Sequence, residues 1–245
     1  MKIESRETRQ VAAAQAPRFD MYATIHKAIR AFMGDTLLAV GRMDVDDEPE
    51  LAQTTQRVLE LLEFLQSHLT HENEFVHPAI EARAPGDSER VEREHVEHAQ
   101  HLAALAGSVS ALRACHAADR AGVALNLYRE LALFVAENFQ HMHVEETAHN
   151  AALWANYTDG ELVEIHHQLV SSIPPAEMMV VARWMVPFMN PAERAAMLAD
   201  VRFNAPAPAF QAMLDTVRPH LTEREWEKLA KSLQLAPVPG LVAVS

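Results

Sequence analysis

The segment Ser67-His68-Leu69-Thr70-His71-Glu72-Asn73-Glu74-Phe75-Val76-His77-Pro78 decides how this chain folds. Upstream of it, Val58, Leu61 and Leu65 recur at steps of three and four, the spacing that keeps side chains on one face of a helix packed in a bundle. His68 and Glu72 continue that face, so polar groups occupy positions where apolar ones belong. In a helix they lie one turn apart, about 6 Å along the axis, and can present a nitrogen and an oxygen to a common point.

Three more stretches show the same pattern. Tyr22, His26, Ile29, Met33, Thr36 and Val40 form one seam; Val91, His95, His98, Leu102, Leu105, Val109 and Leu112 form another; Leu127, Leu131, Phe134, Asn138, His141, Glu145 and Ala148 form the last. Each is apolar over much of its length, and each carries histidine, or histidine with glutamate, where a core residue should be. A buried carboxylate or a cluster of buried imidazoles without partners costs several kcal/mol. Four helices making the same unfavourable choice need one common reason. A metal ion supplies it by neutralising carboxylates and engaging imidazole nitrogens together. The candidate ligands are His26, His68, Glu72, His95, His98, His141 and Glu145. Five imidazoles and two carboxylates are too many for one tetrahedral zinc, and suit two octahedral ions bridged by the carboxylates, with a position left open.

Of the fourteen histidines in 245 residues, eleven lie between His26 and His149. His71, His77, His101, His143 and His149 fall off the stripe and read as solvated or supporting groups. His77, about one turn beyond Glu72, is placed to orient a carboxylate. Glu74 reads as solvent-facing. His116, His166, His167 and His220 carry no sign of a ligand role.

Few glycines, abundant alanine and no strand-like alternation predict an all-α chain. The organisation expected is a lead-in over 1–19, an up-down four-helix bundle over 20–157, a C-terminal helical extension over 158–235 packed on the bundle, and a tail over 236–245. Asp20 is placed to cap the first helix, and Pro78 to break or bend the second. Thr158 with Glu161 and Thr222 with Glu225 are capping boxes, and nine of the 13 prolines lie from Pro174 onward, where short helices begin. Met178, Met179, Met185, Met189 and Trp184 read as packing residues of that extension. A formal charge of −13 argues against nucleic acid and anionic membrane as partners. No apolar run approaches the length of a membrane span, and the charged N-terminus has no signal-peptide core, so the expected location is the cytoplasm. Cys115, the single cysteine, reads as a buried or half-buried thiol.

The motifs Ser67–Pro78, Glu94-His95 and His141-Met142-His143-Val144-Glu145-Glu146, with His26 in the first helix, resemble in order those of hemerythrin-like, HHE cation-binding proteins. The resemblance spans about residues 20–155. It implies a non-haem centre of two iron ions able to bind dioxygen or nitric oxide. Two departures stand out. Hemerythrins proper space the two histidines of the third helix by four, whereas His95 and His98 are three apart. They also place an aspartate five residues after the last histidine, where this chain has Glu145 at four and Glu146 at five. Glu145 stays on the seam, and Glu146 is the alternative.

The function expected is reversible binding of a small diatomic for sensing, storage or stress protection. No further acid or base stands at a catalytic position, so the chain reads as a binding protein before an enzyme. The alternative is a di-iron enzyme, or an iron–sulfur repair factor acting under oxidative or nitrosative stress. The C-terminal helices offer a surface for a protein partner.

Overall fold

The computed structural model describes residues 18–235. The tail expected over 236–245 and all but the end of the expected lead-in therefore lie outside the described residues. Among those described there is no strand, and no helix is long and apolar enough to cross a membrane.

Four long helices form the bundle: α1 (Ala23–Arg42), α2 (Glu48–His71), α4 (Glu89–Ala114) and α5 (Arg120–Val144). α1 and α4 each pack against both α2 and α5, which closes a four-membered ring. Local chemistry sets the starts. Asp20 accepts from the backbone N–H groups of Tyr22 and Ala23 at 2.9 and 3.0 Å, and Asp47 accepts from that of Glu50 at 3.1 Å ahead of Pro49 in the first turn of α2. The apolar seams meet inside. Ile29, Met33, Leu61, Leu65, Val91, Leu105, Leu112, Leu127, Leu131 and Phe134 are all buried.

Both helices that carry a seam carboxylate change pitch at it. α2 passes into a π-helical turn, Glu72–Val76, and resumes as α3 (His77–Arg83). α5 passes into a second π-helical turn, Glu145–His149, and resumes as α6 (Asn150–Asn156). Pro78 therefore does not end the second helix. It stands in the first turn of α3, where its missing N–H is no loss, and the wide turn just before it absorbs the ring.

α7 (Asp159–Ser172) starts at the Thr158–Glu161 capping box. Its Leu162 joins Tyr22, Val76, Ile80 and Leu153 in an apolar cluster at the end of the bundle. The chain divides into two compact units between Ile173 and Pro174, so α7 belongs with the bundle.

The second unit comprises α8 (Pro175–Met185), α9 (Pro191–Asn204), α10 (Ala207–Val217) and α11 (Glu223–Leu233). Its core is built from Ala182, Val186, Leu198, Phe210, Leu214, Val217 and Leu229, with Met178 and Met179 against it. Capping boxes start α9 (Asn190 with Glu193) and α11 (Thr222 with Glu225). Arg194 is buried there and donates to the carbonyls of Val186, Pro187 and Met189, which lie in the turn that follows α8.

Leu131 lies fully buried at mid-seam. Leu131→Ala should remove about 2–5 kcal/mol of stability through lost burial and the cavity left behind. Urea unfolding of the metal-free chain, followed by far-UV circular dichroism, measures it.

Candidate metal centre

The seam brings His26 from α1, His68 and Glu72 from α2, His95 from α4, and His141 and Glu145 from α5 to one level of the bundle. All except the half-buried His68 are buried. Three sets of donor atoms lie close enough to share an ion: Glu72, His95, His141 and Glu145; His26, His68 and Glu72; and His77, Glu145 and His149.

Each carboxylate faces imidazoles from two sides. Glu72 turns Oε1 toward His68 Nε2 at 3.2 Å and His26 Nε2 at 3.8 Å, and Oε2 toward His95 Nε2 at 3.5 Å. Glu145 turns Oε2 toward His26 Nε2 at 3.5 Å, and Oε1 toward His141 Nε2 at 3.2 Å and His95 Nε2 at 3.5 Å. The two glutamates thus join a His26–His68 side to a His95–His141 side.

Outer partners fix the rings. Nδ1 of His26 meets Glu146 at 3.0 Å, Nδ1 of His95 meets Asn73 Oδ1 at 2.8 Å, and Nδ1 of His141 meets Glu94 at 2.9 Å. An imidazole that donates from Nδ1 to an oxygen keeps its lone pair on Nε2, the form a metal needs. His95 Nε2 and His141 Nε2 stand 3.1 Å apart. With both Nδ1 atoms donating outward, two lone pairs face each other there, which requires a proton or a cation between them. Glu146 in turn accepts from Arg30 at 2.5 and 3.0 Å. It therefore supports His26 from outside, while Glu145 faces inward.

The electrostatics show the same strain. Burial pulls the His26 imidazole down, but the hydrogen bond to Glu146 and the nearby carboxylates of Glu72 and Glu145 outweigh it and raise it to about 9. Burial likewise pulls His141 down, and Glu145 and Glu94 raise it to about 10. Burial, reinforced by the charge of His26, holds His68 well below the ordinary imidazole range. Burial and then the charge of Glu145 raise Glu72. Burial would raise Glu145 too, but His141, His95 and His26 hold it well below its ordinary value.

The fit to a metal is tested by the orphaned atoms. Both carboxylate oxygens of Glu72 and Glu145, and Nε2 of His26 and His68, are buried with no hydrogen-bond partner. Buried polar atoms are almost always paired, so a cluster of acceptors facing one point calls for a cation. The donor set, imidazole nitrogen and carboxylate oxygen, suits a first-row transition ion.

His98, placed on the seam by its spacing, is buried but belongs to none of the three donor sets. Its ring packs edge-on against His141, with centroids 4.5 Å apart, and against Phe134 at 6.0 Å. It lines a small cavity beside the centre together with Ile29, Leu65, Leu102, Phe134 and Asn138. His77 and His149, read from the sequence as off the stripe, are instead turned inward and buried. The signal that could have found them is their position just past a seam glutamate on each of two helices. Glu74 is exposed, as its position predicts.

Neither a curated protein nor a solved structure matches the chain. Residues 19–152, more than half of its length, match the family model of the hemerythrin HHE cation binding domain, and the chain belongs to that family.

Proposed function

We propose that the chain is a non-haem di-iron protein that binds dioxygen or nitric oxide. The observation that carries this reading is the disposition of Glu72 and Glu145, each with one oxygen among the His26-side imidazoles and the other among the His95-side imidazoles. Carboxylates so placed would be shared between two ions, with His26 and His68 holding one and His95 and His141 the other. His98, offered by its spacing as a further ligand, would serve the ligand cavity instead. Iron held there supplies a redox-active Lewis acid with affinity for small diatomics.

The surroundings support that use. The cavity beside His68 and His141 measures about 10 Å³, room for a molecule of roughly the size of water, and most of its wall is apolar: Ile29, Leu65, Leu69, Leu102, Phe134 and Met142. An apolar wall keeps bulk water and protons from a bound diatomic. Asn138 and His98 are the polar groups added to the wall. The Asn138 amide is turned to the Phe134 carbonyl at 2.9 Å, which fixes its orientation in the wall.

Anaerobically iron-loaded protein should hold about two irons per chain. It should gain a visible absorption band on adding dioxygen or nitric oxide and lose it when the gas is removed. Glu72→Gln should reduce the iron content to about one per chain or less, because one shared donor is lost. A wild-type protein that takes up a single zinc in preference, with no gas-dependent spectrum, would overturn the reading.

Protons and metal compete for the same nitrogens. His26 and His141 are raised to about 9 and about 10 in the metal-free protein, so the stability they contribute is complete below pH ~6.5 and is lost as pH climbs through 9 to 10. The metal-free chain should therefore melt at a lower temperature at pH 10 than at pH 6.5. Metal loading near pH 7.5 should release about two protons per centre, read with a pH indicator in weakly buffered solution.

A further inference from the structure

We infer that His77 and His149 are ligands of the centre, so that it takes six imidazoles rather than four; the inference rests on the di-metal reading above. Three independent observations point there. First, the rings are sealed from solvent, with His77 2% and His149 1% exposed, yet Nδ1 and Nε2 of His77 and Nε2 of His149 have no hydrogen-bond partner. A histidine that merely supported a ligand would spend a ring N–H on a carboxylate or carbonyl. Second, one ring nitrogen each of His77 and His149 lies with a Glu145 oxygen in a set compact enough to hold an ion, and Glu145 already belongs to the centre. His77 also stacks on the ligand candidate His95, with ring centroids 4.7 Å apart and planes inclined by 28°.

Third, His149 shows the arrangement found at His26, His95 and His141. Its Nδ1 meets an outer oxygen, the Tyr22 hydroxyl at 3.1 Å, while its Nε2 is left open. Tyr22 is itself fully buried beside His26, with ring centroids 5.3 Å apart, so the hydroxyl is a fixed part of the site. Tyr22 is thus a positioning residue for His149, in the role Glu146, Asn73 and Glu94 play for the others.

The backbone explains how two off-stripe residues come to be there. Each follows a seam glutamate across a π-helical turn, Glu72–Val76 before His77 and Glu145–His149 around His149. The His77 N–H donates to the Glu72 carbonyl, a five-residue closure that an α-helix lacks. His77 is five residues past Glu72, and five residues along an α-helix turn a side chain about 140° away from its starting face; the wider turn returns it, while His149, four residues past Glu145, stays near that face at either pitch. π-Turns are rare and occur mostly as single turns inside α-helices, frequently at functional sites. Here two of them begin at the two seam carboxylates on two helices, and an imidazole stands about one turn beyond each. With six imidazoles and two shared carboxylates, each ion would have about three nitrogens and two oxygens, and one position remaining for an exogenous molecule.

The test is X-ray absorption at the iron edge of the loaded full-length protein, with metal titration of His77→Ala, His149→Ala and Tyr22→Phe. The wild type should show about three imidazoles per iron. Each histidine variant should lower that average and weaken iron binding by more than tenfold, and Tyr22→Phe should weaken it by about tenfold. Circular dichroism of the metal-free variants checks that they fold, and the wild-type imidazole count decides the matter if one does not. About two imidazoles per iron in a wild type holding two irons would overturn the inference and leave the di-iron reading intact. Iron content well below two per chain in the wild type would overturn both.

Discussion

Everything in the bundle depends on two buried carboxylates that the protein alone does not satisfy. Glu72 and Glu145 sit on opposite helices, close to the imidazoles of His26, His68, His95 and His141, with all four oxygens unpaired by any hydrogen-bond donor. Removing such charges from water costs several kcal/mol each, and the attraction of a partly protonated histidine cluster repays it incompletely. Without metal, the compensation comes from protons: His26 and His141 are pushed to about 9 and about 10 by those carboxylates and their neighbours. A cation does the same work better, because it serves every donor at once and leaves each imidazole neutral. The apolar layers that surround the cluster raise the cost of leaving it uncompensated.

Those layers are unlike each other. On one side Ile29, Leu65, Leu102 and Phe134 leave a cavity of about 10 Å³ against His68 and His141. On the other, Tyr22, Val76, Ile80, Leu153 and Leu162 close the end of the bundle. That closure is tied down through polar contacts on its rim. The Trp154 indole N–H donates to the Phe19 carbonyl at 2.9 Å, Arg18 donates to the carbonyls of Trp154 and Tyr157, and the Tyr157 hydroxyl donates to the Ala79 carbonyl at 2.6 Å. The arrangement gives α7 a structural reason to pack with the bundle: its Leu162 fills the end that would otherwise open the centre to water. Division of the chain at Ile173 rather than near residue 158 follows from that burial.

The fold and six of the ligand candidates were legible in the sequence because a bundle seam is periodic. His26, His68, Glu72, His95, His141 and Glu145 all fall on steps of three and four, and those steps were enough to predict that they converge. Periodicity fixes which face a residue shares, not which residues of the other helices it stands level with. His98 shares the face of His95 but stands one turn further along α4, level with Phe134, and so reaches the cavity wall rather than the donor sets. The different settings of Glu145, facing the cluster, and Glu146, facing outward, turn on Arg30, a partner from another helix that no local pattern contains.

His77 and His149 escaped for a different reason. The seam continued in α-helical steps predicts Phe75 after Glu72 and Ala148 after Glu145. In the structure Phe75 is only half-buried and Ala148 is exposed, while Val76, His77 and His149 take the inward places. Each helix has slipped within one turn of its glutamate. A π-turn inserts an extra residue into the helical repeat, so every position beyond it rotates relative to the earlier seam. Nothing in local propensity announces that slip. The residues of Glu72–Val76 form an α-helix as readily as a π-turn, and Pro78 only makes a departure from regular pitch easier. What favours the wider turn in the second helix is tertiary: it is the pitch at which Glu72 stays in the cluster while His77 also reaches it. The same slip at the same place on two different helices indicates that the centre, rather than the sequence around either glutamate, sets the local geometry.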